Sequence, residues 1–330
     1  MSYQTGSATS STDLVKQLVT WLVSLGWTQD RSAVEGAGWT ASLHHNSNYV
    51  HLRAVENETG PWHAQFGNAH YGVHMYTATA YDSTQPFNNQ VGGPIGSPTF
   101  PIGVGMQLTV GPFPNYYFFA DSTADNIVVV VEKTPGFFVH IGWGLSLLKA
   151  GAYTGGAYFF GSCSGYFTSL ITATPNLPGL TSSSDCPCVN ADAEGGGAGF
   201  VRADVDSWTG KWVGIFNATT GGDFGFTGKE GDSSVRGANC SMKPNFPVYA
   251  SVAGFQFQYA QTSAQDSRAN LLPIYLWVLR DGTATGYSIL GTVPNVFASN
   301  AVGNGFSNAQ EYVLGATTYK LFPNFAVVKQ

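Results

Sequence analysis

Seven histidines are the first residues that could carry chemistry: His44, His45, His51, His63, His70, His74 and His140. A neutral imidazole can serve as a general base or a metal ligand, so their spacing matters. His70 and His74 stand four apart, but the residues around them read as strand. On a strand, that spacing puts two side chains on one face about 13 Å apart. H-E-x-x-H is absent. The carboxylates that could do acid–base work are Asp204 with Asp206, Asp121 with Asp125, and the group Asp185, Asp192 and Glu194. Asp204 and Asp206 would share a strand face, as the paired acids of a glycosidase could. Turn capping explains Asp121 and Asp125 more simply.

The four cysteines are Cys163, Cys186, Cys188 and Cys240. Cys186-Pro187-Cys188 is a C-x-C pair, not the C-x-x-C of redox and zinc-ribbon sites. With no histidine close in sequence, a zinc site would need all four scattered thiols. Free, partly buried thiols are the expectation. Cys163, in Gly161-Ser-Cys-Ser-Gly165, has the outline of a nucleophile turn, but no His or Asp can be assigned to it. There is no G-x-S-x-G elbow and no phosphate-binding loop, and the runs Gly155-Gly156 and Gly195-Gly196-Gly197 lack a dinucleotide-site context. No catalytic, cofactor or metal residue is assigned, and the chain is expected not to be an enzyme.

Composition points elsewhere. Only 10% of the 330 residues are charged, against about 25% on average, while 14% are aromatic and 41 are glycine. Such a surface suits protein–protein contact, where charge is depleted and Tyr, Trp and Phe are enriched. The net charge is −6, and the 14 Lys and Arg form no run. A duplex-binding surface needs clustered cations, so direct binding to nucleic acid is not expected. Residues Met1–Thr12 lack the basic and apolar regions of a signal peptide. The longest apolar stretch, Leu271–Leu279, is broken by Pro273 and falls short of the roughly 20 residues needed to span a bilayer. Membrane insertion is not expected.

The elements that would position any site are mostly strands. The exception is residues 12–25, where Leu14, Leu18, Trp21, Leu22 and Leu25 recur at helical spacing between the caps Ser10–Thr12 and the terminator Gly26. Trp39–Leu43 and Tyr49–Val55 read as a hairpin around residues 44–48. Tyr116–Phe119, Asn126–Glu132 and Phe137–Trp143 read as a three-stranded meander, rich in β-branched and aromatic residues with turn chemistry at each break. In its last strand Phe137, Val139, Ile141 and Trp143 share one face, and Phe138 and His140 the other. Residues 211–216, 248–259 and 272–279 have strand texture, and Glu311–Phe322 reads as a hairpin. No fixed-period repeat emerges, which argues against a propeller or solenoid.

The fold expected is mainly β: an antiparallel β-sandwich or mixed β-sheet core, one N-terminal helix packed on it, and long Gly/Pro-rich loops. Residues 1–160 would hold the helix and the β core, 161–245 a loop-rich excursion, and 246–330 a C-terminal β region completing the core.

Three parts of the chain resemble virion proteins of tailed bacteriophages. The first is Thr5-Gly-Ser-Ala-Thr9 with the Asp13–Leu25 helix and Gly26-Trp-Thr28. The second is the meander from Tyr116 through Gly142-Trp-Gly144, continued by Lys149–Tyr158. The third is Gly286–Pro294 with Tyr319-Lys-Leu-Phe-Pro323. Together they cover about a third of the chain, and residues 161–245 have no counterpart. The resemblance implies a structural subunit of the neck or collar, tail or baseplate. Its partners would be copies of itself in a symmetric ring and other virion proteins, and its location the virion after synthesis in the host cytoplasm. The alternative is a tail appendage that binds a receptor or host-surface glycan, with Trp62, Trp208 and Trp212 as candidate sugar platforms.

Overall fold

A computed structural model describes residues 1–58, 70–87, 89–94, 104–145, 156–164, 198–203, 211–215, 240–243, 269, 271–279, 287–299, 301–302, 305–323 and 325–330. Strand β1 (Ser2–Ala8) leads into helix α1 (Ser11–Ser24). Five strands follow: β2 (Thr28–Glu35), β3 (Gly38–His45), β4 (Asn48–Glu58), β5 (His70–Ala78) and β6 (Val104–Leu108). The meander is β7 (Phe113–Ala120), β8 (Ile127–Thr134) and β9 (Phe137–Leu145). Shorter strands come next: β10 (Ala157–Gly161), β11 (Cys163–Ser164), β12 (Ala198–Ala203), β13 (Lys211–Ile215) and β14 (Cys240–Lys243). The chain closes with β15 (Leu272–Leu279), β16 (Tyr287–Ala298), β17 (Glu311–Leu314), β18 (Thr317–Phe322) and β19 (Phe325–Val328). The protein is therefore mainly β, with α1 the single helix among the described residues.

The helix starts and stops for local reasons. Ser10 caps it by accepting a hydrogen bond from the Asp13 amide, and Asp13 reciprocates by accepting from the Thr9 amide at 2.8 Å. Burial alone would raise the Asp13 carboxyl, but hydrogen bonds from Thr9 and Gln17 outweigh it and hold the group below the usual carboxylate range. At the other end Gly26 takes φ +98°, and its amide and that of Trp27 bond back to Val23 and Leu22. This is the left-handed termination that glycine permits. Leu14, Val15, Leu18, Val19, Trp21 and Leu22 form the buried face.

Two sheets enclose that face. The smaller runs in the order β11-β6-β5-β4-β3-β2, and the larger begins β1-β7-β8-β9-β10-β12 and ends β16-β19-β18-β17. Alternation sends Ala41, Leu43, Val50, Leu52, Ala54, Val73, Met75, Val104 and Met106 inward. They meet α1 and the inner face of the meander: Phe118, Ile127, Val129, Val131, Val139, Ile141 and Trp143. Trp21 lies 5.5 Å from Phe118, ring to ring, and Trp27 meets Trp143 edge-on at 6.0 Å. The predicted split of β9 holds, with Val139, Ile141 and Trp143 in this core and Phe138 and His140 on the opposite face.

That opposite face is covered by the chain's own end. Phe322 of β18 packs against Tyr117, Phe119 and Phe138 at 5.4, 6.2 and 5.4 Å, and Phe325 of β19 packs against His140 at 5.2 Å. The large sheet thus turns back on itself, and the molecule has three β layers. No helix among the described residues is long and apolar enough to cross a membrane.

Several elements differ from the sequence reading. The hairpin at 44–48 has only a two-residue turn, because His45 pairs with Asn48 and Asn46 takes φ +53°. His44 and His45 are therefore strand residues. Strands β1 and β2 were not anticipated, since Ser2–Ala8 and Thr28–Glu35 carry few large apolar residues to alternate. The polar N-terminus pairs with β7 of its own chain. Most of the 161–245 excursion and the strand expected at 248–259 lie outside the described residues.

Candidate functional site

The outer face of the small sheet concentrates the buried polar side chains. Strand alternation sends Thr40 and Ser42 of β3, His51 and Arg53 of β4, and His74 and Tyr76 of β5 away from the apolar core. Here Ser42 lies opposite His51, and Arg53 opposite His74. All six are buried. Exposure is withheld by residues 79–87 and 89–94, which fold over the sheet.

One glutamine organises that segment. The Gln90 side-chain amide donates to the carbonyls of Asp82, Gln85 and Pro86 at 3.0–3.2 Å, while its oxygen accepts from the Asp82 amide at 2.7 Å. The ends close where the Thr79 and Ala80 amides reach the Val91 carbonyl. The loop is then tied down by Tyr76, whose hydroxyl donates to the Pro94 carbonyl, and by Trp212 of β13, whose indole donates to Gly92 at 2.8 Å. Tyr81 stacks on His51, Phe87 meets His74 edge-on, and the Arg53 guanidinium lies 5.8 Å from the Phe87 ring centre.

The electrostatics follow from this enclosure. Burial pushes the His51 imidazole down to about 3, so it is neutral at ordinary pH. Its Nδ1 lies 2.9 Å from Ser42 Oγ, and its Nε2 has no hydrogen-bond partner among the described residues. Burial raises the Glu58 carboxyl, and Arg53, 2.8 Å away, opposes this without cancelling it. A serine beside a neutral imidazole has the outline of a nucleophile and its base. Both groups are sealed beneath the loop, however, and no carboxylate bonded to the ring orients it among the described residues. The arrangement holds a loop on a sheet.

A second polar cluster clasps the two sheets at one end. Asp125 Oδ1 lies 2.9 Å from His45 Nδ1, the Asn48 side-chain amide donates to the Asp125 backbone carbonyl at 2.8 Å, and the Trp27 indole donates to the Ala124 carbonyl. Asp121 is the keystone of the turn itself, accepting from Thr123, the Asp125 and Asn126 amides and the Asn126 side chain. The pair Asp121/Asp125 is thus divided, one carboxylate bound into the turn and the other facing a histidine.

The remaining candidates are scattered. His44 pairs with Asp30 at 2.8 Å, and His140 lies in the far layer. His70 and His74 share β5, as the spacing implied. His63, Asp185, Asp192, Glu194, Asp204, Asp206, Cys186, Cys188, Trp62 and Trp208 lie outside the described residues. Cys163 and Cys240 are placed on β11 and β14. Trp212, a candidate sugar platform, is buried against Phe159 in the main core; its indole is committed to Gly92. Among the described residues no three His, Cys, Asp or Glu come together as a metal site would require.

Sequence reasoning missed Ser42, Arg53, Tyr76 and Gln90. The polar alternation through Tyr49–Val55 could have flagged a second buried face, but nothing local to Gln90 marks it as the centre of a loop. The aromatic surplus also falls differently. Among the described residues the exposed large hydrophobics are Met1, Val23, Val34, Val91, Val110, Val313 and Leu314, with no aromatic ring among them. Many of the described rings, Phe118, Trp143, Phe138 and Phe322 among them, lie between the layers. No family model matches the chain, and no curated protein matches it.

Proposed function

We propose that this chain is a structural subunit of a tailed bacteriophage particle, in its neck or collar, tail or baseplate, joined to copies of itself and to other virion proteins. The resemblance of its N-terminal segment, meander and C-terminal segment to such proteins supports the reading, as does a surface poor in charge. The observation that carries it is the open end of the large sheet. Among the described residues β17 is the last strand there, and Val313 and Leu314 stand 63% and 53% exposed on it. A solitary protein guards such an edge with charge, proline, a bulge or a very short strand. Glu311-Tyr-Val-Leu314 is four residues long and carries one charge at its start, but it has no lysine, proline or bulge, and its register with β18 is unbroken. A neighbouring subunit that covers the edge removes the liability, and rings of copies use contacts of this head-to-tail kind.

Imaging of intact particles tests the proposal directly. The expected result is this chain repeated around a symmetry axis, with the 311–322 hairpin covered by a neighbour. Particles without the chain overturn it, as does a purified chain that stays monomeric when concentrated and binds host polysaccharide instead.

A further inference from the structure

His140 is buried between two layers of the fold. We infer that His140 makes the contact between the meander and the C-terminal layer an acid-sensitive seam, so that its protonation releases β18 and β19 before the rest of the fold opens.

The geometry sets this up. On the outer face of β9, His140 sits between Phe138 and Gly142. Gly142 leaves room for the Phe160 ring, since a Cβ there would lie 2.4 Å from it. The imidazole is therefore bounded by Phe160 at 5.9 Å and by Phe325, from the opposing layer, at 5.2 Å. Its backbone is satisfied: Ser162 Oγ accepts from the His140 amide, and the Ser162 amide donates to the His140 carbonyl at 2.9 Å. Its ring is not. Neither Nδ1 nor Nε2 has a hydrogen-bond partner among the described residues.

A neutral imidazole in that slot leaves one N–H donor and one acceptor nitrogen unpaired, a cost far smaller than that of burying a charge. An imidazolium would carry a charge and two N–H donors with no acceptor, which an apolar site strongly resists.

The charged and titratable groups on this side offer no relief. Tyr117 of β7, its hydroxyl pushed up to about 12 by burial, lies under the Lys320 ammonium of β18. Lys320 and Lys329 both reach Glu311 of β17, at 3.6 and 2.7 Å, and Lys329 also covers Tyr3 of β1. Glu132 of β8 accepts from Asn115 and from the Gly136 amide. Tyr158 of β10 donates to Asn126.

Opening the seam is the way to hydrate the ring. The inner face of β9 is locked into the main core, whereas the outer face of the meander is held by the rings of β18 and β19, with Lys320 and Lys329 lying over Tyr117 and Tyr3 at the rim. Burial holds His140 at about 3, against an ordinary value near 6.5. The linkage favours the open seam about 100-fold more at pH 4.5 than at neutral pH, where the effect vanishes.

Hydrogen exchange on the full chain, resolved by segment and compared between wild type and His140→Phe at the same pH, reads this out. At pH 4.5, after correction for intrinsic rates, wild-type residues 317–328 are expected to lose about two orders of magnitude of protection relative to pH 7.5. Residues 11–24, which open only with the whole fold, should remain better protected than residues 317–328 at pH 4.5, and in His140→Phe residues 317–328 should keep the protection that wild type loses there. His51→Phe, altered on the far side of the molecule, should lose it as wild type does. Equal acid loss in His140→Phe, or no loss in wild type, overturns the inference. If His140→Phe does not fold, the wild-type profile decides alone, because simultaneous opening of residues 11–24 and 317–328 at pH 4.5 also overturns it.

Discussion

The two faces of the meander are buried by different means. The inner face meets α1 and the small sheet with aliphatic side chains around Trp143, supplied by elements adjacent along the chain. The outer face meets rings, Phe322 and Phe325, that arrive nearly 200 residues later. One interface is an ordinary close-packed core; the other is an aromatic seam between an early and a late part of the chain. The difference suggests that the molecule has one structural centre and one attached layer.

The sharpest test of that contrast is Trp143→Ala. Trp143 is fully buried at the middle of the inner face, and its loss should cost about 4 kcal/mol, transfer and cavity combined. Urea unfolding followed by fluorescence and by circular dichroism should shift together, because the whole fold depends on this core. Phe322→Ala on the seam should cost about 3 kcal/mol, yet separate the probes, with β17–β19 detaching while α1 stays protected. Coincident transitions in the Phe322 variant would erase the distinction between centre and layer.

Acid sharpens the comparison from another side. His51, on the outer face of the small sheet, is held at about 3 by burial, below its ordinary value near 6.5. The unfolded chain therefore binds the proton more readily. The stability due to the neutral ring is fully present above about pH 6.5 and is lost as pH falls toward 3. Between pH 7 and pH 4.5 this amounts to about 2–3 kcal/mol, and His51→Phe should flatten that part of the pH dependence. A Ser10→Ala change acts on the centre alone. Removing the cap that receives the Asp13 amide should lower stability by about 1 kcal/mol at any pH.

What could be read in the sequence follows the same division. The helix, the meander and the split of β9 were legible because each is fixed by a local pattern: spacing of leucines, alternation of valines, caps and turns. The pairing of Phe322 with Tyr117 and Phe138 was not, since no local signal says which distant ring will cover a given face. Nor was the enclosure of His51, which depends on Gln90 gathering a loop almost 40 residues further on. An abundance of rings was read as a sign of contact between molecules. Among the described residues part of that abundance lies between layers of one molecule, where stacking three β layers calls for large side chains on both faces of the middle one.

The surface then has to be judged from its aliphatic residues, and this sets the smallest effect on folding. Leu314→Lys, on the β17 edge, removes little buried area and should change stability by no more than about 0.5 kcal/mol. Its effect on association should be far larger, because a lysine on an edge strand opposes the approach of another strand. Sedimentation of wild type and variant across a concentration series checks this. If both associate alike, the β17 edge is not where copies meet, and the attached layer must serve the inside of the molecule alone.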